Sequence, residues 1–82
     1  MATQTLYPKS DGVKRPFRLW DAKAKKAMPW RNYKHRRNAH LGALVEARWS
    51  KVGTCIEVYD ATNGKLCGQY TRRLHTIDFQ GD

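Results

Sequence analysis

Eighty-two residues with 40% hydrophobic content make one small domain, near the lower limit for a chain that folds without staples. No apolar run approaches the roughly 20 residues needed to span a bilayer, and the start of the chain lacks the charged lead and apolar stretch of a secretory signal. The expectation is a soluble, cytoplasmic protein with no membrane partner.

Sixteen Lys and Arg stand against seven Asp and Glu, a formal net charge of +9. Between Val13 and Arg37 lie Lys14, Arg15, Arg18, Lys23, Lys25, Lys26, Arg31, Lys34, Arg36 and Arg37, opposed only by Asp21. Ten cations less one anion equal the charge of the whole chain, so the remainder is neutral. Scattered charge would serve solubility equally well, so this asymmetry points to a negatively charged partner.

Residues 1–13 carry Pro8, Gly12 and no periodicity, and are expected to form a flexible tail before a single compact domain over 14–82. From Pro16 the chain alternates like a strand, with Phe17 and Leu19 on one face and Arg18 and Trp20 on the other. Lys23–Lys26 makes a polar turn, and Ala27–Trp30 returns as a short strand. Pro29 cannot donate a ladder hydrogen bond, which places that strand at an edge or interrupts it.

Asn38–Val52 reads as a helix, with Leu41, Leu44, Val45, Trp49 and Val52 as the buried stripe. Asn38 suits the N-cap, Gly53 the stop, and a start as early as Asn32 is open. Ala39, Ala43 and Ala47 form a small-residue row that allows close approach of another element. Strands at Thr54–Asp60 and Lys65–Thr71 flank Asn63-Gly64, a two-residue hairpin signal. That register pairs Val58 with Gln69 and Cys55 with Arg72, and turns Cys55 and Cys67 to opposite faces as reduced thiols. Leu74–Phe79 is either a third strand or a docking tail.

The expected fold is α+β, a small ββαββ(β) domain with one amphipathic helix packed on antiparallel hairpins. Leu41, Leu44, Val45 and Trp49 would meet Phe17, Leu19, Ile56 and Val58. The two hairpins also resemble each other at an offset of 39 residues, with Asp, Ala and Lys matching from Asp21 and from Asp60. Either similar hairpins chose similar residues or a ββ unit was duplicated.

Three candidate sites follow. The first is the basic segment, whose Arg31, Lys34, Arg36 and Arg37 stand at the helix start, where cations oppose the helix dipole but free N–H groups suit phosphate. The second is the outward sheet face, expected to carry Arg18, Trp20, Glu57, Tyr59, Tyr70 and Arg72. Aromatics interleaved with arginine would suit single-stranded nucleic acid, although Tyr59 over Gly68 would equally be a stability device. The third is catalysis or metal binding by His35, His40, His75, Cys55 and Cys67, but no Cys-x-x-Cys or His-x-x-x-His spacing supports a metal and nothing fixes a nucleophile beside a base.

The leading expectation is a non-enzymatic nucleic-acid-binding protein, DNA or RNA, that contacts phosphates through the ten cations with little sequence specificity and no cofactor or metal. The alternative is an interaction module docking on an acidic protein surface through Trp20, Trp30 and Tyr33 beside the charge, to inhibit or recruit a nucleic-acid enzyme. In size and basicity the chain resembles small accessory proteins of phages, a likeness without a motif. A third reading is a small metal-independent ribonuclease.

Overall fold

The computed structural model describes Tyr7 and residues 14–81, excluding the side chains of Pro29 and Trp30. Alternation along Phe17–Asp21 makes β1, which leads through a short turn into β2 (Lys26–Tyr33). Then come α1 (Arg36–Arg48), β3 (Cys55–Asp60), β4 (Lys65–Arg72) and β5 (Ile77–Gly81). The strands form one antiparallel sheet in the order β2-β1-β3-β4-β5, with α1 against one face. The domain is therefore α+β, and the segment after Leu74 supplies a third strand to the second hairpin.

Pro29 lies on an edge strand, as its missing donor requires. Arg18 pairs with Asn32 and Trp20 with Ala27, so Met28 to Arg31 stand opposite Leu19 alone. The ladder is broken where the proline sits.

The helix buries a different face from the expected one. Ala39, Ala43 and Ala47 are fully buried against Leu19, Ile56 and Val58, with Phe17, Met28, Tyr33, Tyr70 and Ile77 packed around them. Leu41, Leu44, Val45, Trp49 and Val52 face solvent instead, Trp49 at 82% exposure. The sheet's own side chains already fill the space beneath the helix. At native packing density only a row of methyl groups fits there, so the larger residues point away. The helix also starts at Arg36 and ends at Arg48, and its N-cap is His35, which makes no side-chain cap bond; Asn38 is inside the helix.

The second hairpin is wider than a two-residue turn. Ala61–Gly64 form a four-residue loop between Asp60 and Lys65, and the register shifts between Val58 and Tyr59. Ile56 consequently pairs with Tyr70, Val58 with Gly68 and Cys55 with Thr71. A one-residue slip exchanges faces, so Tyr70 and Arg72 lie on the helix side rather than beside Tyr59. The two cysteines are not bridged to each other: Cys67 packs on the helical cluster, while Cys55 accepts from Gln69 Nε2 on the other face.

That other face has its own small cluster. Tyr59 and Ala61 are fully buried there beneath Tyr7, with Trp20 packed against them. Tyr7 stacks on Tyr59 with ring centroids 4.9 Å apart, meets Trp20 edge-on at 5.5 Å, and donates to Glu57 Oε1 at 3.0 Å. The rest of the segment expected to be a flexible tail lies outside the described residues.

Candidate nucleic-acid interface

Because β1 and β2 run antiparallel, a basic segment continuous in sequence becomes divided in space. Lys23, Lys25 and Lys26 lie at the β1–β2 turn, beside the start of β3. Lys34, Arg36 and Arg37 lie at the opposite end, where β2 gives way to α1. Lys14 and Arg15 precede β1 at that same end. Pro16 O accepts from Ala61 N at 2.8 Å and holds them beside the β3–β4 loop.

The remaining two cations lie on opposite faces of the sheet. Arg31 forms an ion pair with Glu46 of the helix, and its hydrogen bond to Tyr33, then the Glu46 carboxylate, hold its pKa above the usual value against the opposing effect of burial. Arg18 lies on the Tyr59 side. Burial pushes the Tyr59 hydroxyl up, and the nearby Arg18 charge partly offsets this. Neither Arg18 Nε nor the Tyr59 hydroxyl has a hydrogen-bond partner among the described residues.

The helix-start end is therefore the largest grouping of the expected cations. It gains a sixth member, Lys65, because Phe17 and Lys65 both flank Asp60. Lys14, Arg15, Lys34, Arg36, Arg37 and Lys65 are all exposed. No acid occupies the first helical turn, and no side chain caps it, so the helix dipole adds its positive pole to theirs. Arg36 is positioned by its Nη2, which donates to Cys67 O at 3.3 Å. A groove of about 260 Å³ opens between Arg36 and Lys65, walled by Phe17, Leu66 and Asn63. Asp60 also lines it, with its Oδ1 accepting from Thr62 N at 2.9 Å and Thr62 Oγ1 at 2.6 Å.

The structure disperses the aromatic candidates. Trp20 and Tyr59 share a face, but Tyr59 is sealed under Tyr7. Tyr33 lies across Gly42, where a Cβ would collide with its ring and hydroxyl, so its ring is part of the helix–sheet contact. The Trp30 side chain lies outside the described residues. Tyr70 joins His40 and Phe79 over Gly68. Among the described side chains no continuous stacking platform spans these positions.

His40 links that aromatic group to the basic end. Arg36 Nε donates to His40 Nε2 at 3.4 Å, which leaves the ring proton on Nδ1, 2.9 Å from Tyr70 Oη. Burial, then the Arg36 charge, holds the His40 pKa below its usual value. Among the described residues no group of three His, Cys, Asp or Glu side chains could hold a metal ion, and no helix is long and apolar enough to cross a membrane.

Sequence reasoning missed Lys65 because it lies in the neutral half of the chain. Its place at the basic end follows only from the β1–β3 pairing, which no local pattern announces. No protein-family model matches the chain, and neither the curated proteins nor the solved structures compared with it gave a match.

Proposed function

We propose that the chain binds nucleic acid through backbone phosphates, with the contact centred on the end of the domain where the helix begins. The observation that supports this reading is the convergence of Lys14, Arg15, Lys34, Arg36, Arg37 and Lys65 around an uncapped helix N-terminus. Placing cations at the positive pole costs folding free energy, and a bound phosphate would offset that cost.

The division of labour differs from a uniform basic strip. Lys23, Lys25 and Lys26 act from the far end and add long-range attraction rather than direct contacts. Arg31 is committed to Glu46. With Tyr59 covered, base stacking contributes little, and binding follows backbone charge with low sequence preference. No cofactor or metal takes part in this reading.

Titration with single-stranded and double-stranded oligomers at several salt concentrations tests it. If about five phosphates are neutralised on duplex DNA, log affinity should fall against log salt with a slope of about −4 to −5. Binding that is absent at low salt, or insensitive to salt, would overturn the reading.

A further inference from the structure

The outward face of α1 is apolar where a surface helix is ordinarily polar. Leu41 is 54% exposed, Val45 49% and Trp49 82%, at the i, i+4 and i+8 spacing that lines one side of a helix. Leu44, three residues from Leu41, joins this ridge to a groove of about 400 Å³ that runs toward β5. Arg48, Arg72 and His75 line the groove, with Leu44 and Ile77 as its apolar walls.

The charge around this surface has one sign. Arg48, in the last turn of the helix, borders the ridge, and Arg72 lies in the groove. The helix's only acid, Glu46, is turned toward β2 and paired with Arg31. A second copy of the chain would bring arginines against arginines, so self-association through this face is disfavoured. A phosphate backbone would satisfy Arg48 and Arg72 but would lay ionic groups over Leu41 and Val45, which gain only from apolar contact.

We propose that the outer face of α1 and its adjoining groove form a docking surface for an acidic amphipathic segment of a partner protein. Apolar side chains of that segment cover Leu41, Val45 and Trp49, and carboxylates reach Arg48 and Arg72. Trp49 is the anchor: aromatic and arginine side chains dominate interface energetics when they are desolvated. This surface is separate from the helix-start end, and the proposal does not rest on phosphate binding there.

The test uses the full chain as bait for a library of displayed helical peptides, with counter-selection on the Val45→Glu variant. Recovered peptides should carry an apolar stripe at i, i+3, i+4 and i+7 flanked by Asp and Glu. Their affinity should fall at least about tenfold with Trp49→Ala and with Arg48→Glu. A Lys23→Glu, Lys26→Glu double variant, altered at the remote turn, should change it far less than Arg48→Glu does. All these side chains are solvent-facing, and unchanged melting temperatures would show that the variants fold. Peptides with neutral or basic flanks, or none that depend on Val45, would overturn the proposal. So would a dimer in sedimentation that Val45→Glu dissolves, or a duplex oligomer whose affinity collapses with Trp49→Ala.

Discussion

Lys25 and Gly64 hold the same place in two turns. Each is the fourth residue after an aspartate, Asp21 or Asp60, and each has a left-handed backbone, with φ of 57° and 70°. Lys25 N donates to Asp21 O and Gly64 N to Asp60 O, both at 2.7 Å. Each aspartate's Oδ1 also accepts from the backbone N–H two residues on. The 39-residue offset in the sequence is thus a shared turn geometry, which similar local chemistry and duplication would both produce.

Lysine is the strained member of that pair. A left-handed conformation costs a residue with a Cβ about 1–2 kcal/mol, and part of the gain on replacement is lost to glycine's extra freedom when unfolded. Lys25→Gly should therefore stabilise the domain, by up to about 1 kcal/mol. Urea denaturation should show a higher midpoint with an unchanged slope.

The two helix faces make opposite predictions. Trp49→Ala should leave the melting temperature nearly unchanged, because the ring is already in solvent. Leu19→Ala, at a fully buried position beneath the alanine row, should cost about 2–5 kcal/mol. Thermal melts of the two variants side by side would settle which face is the core.

Much of this architecture is legible in the sequence, and each departure from it has its own physical source. The alternation of Phe17 with Leu19 and of Ile56 with Val58 identified the helix-facing side of both central strands, and Pro29 identified an edge. The spacing of Ala39, Ala43 and Ala47 marks a close-approach row, yet hydrophobicity alone sends the larger apolar residues of the helix to the core. Periodicity finds both stripes but does not say which one the sheet has room for. Asn63-Gly64 marked the turn correctly, but Asp60 organised a four-residue loop, and the one-residue change carried Tyr70 and Arg72 to the other face. The basic segment was visible as charge; its separation into two ends depended on long-range pairing.

His40 makes stability depend on pH. Its folded pKa is lowered, chiefly by burial and then by Arg36, so the folded state holds this proton less readily than the unfolded chain, whose reference value is 6.5. Its contribution is fully present above about 6.5 and declines as pH falls through the lower folded value. Wild-type protein should lose more melting temperature between pH about 7.5 and about 5 than His40→Gln does. Equal losses would exclude this linkage.

Phosphate binding at the helix-start end is tested most directly by moving the same charge loss between the two ends. Lys34→Gln with Arg37→Gln and Lys23→Gln with Lys26→Gln each remove two cations from the same sequence segment and leave the same net charge. The first pair should weaken duplex binding strongly and reduce the salt slope by about 2. The second pair should leave the slope close to wild type. Equal reductions from both pairs would contradict a contact centred on the helix N-terminus and would return the whole segment to the role of a diffuse positive field.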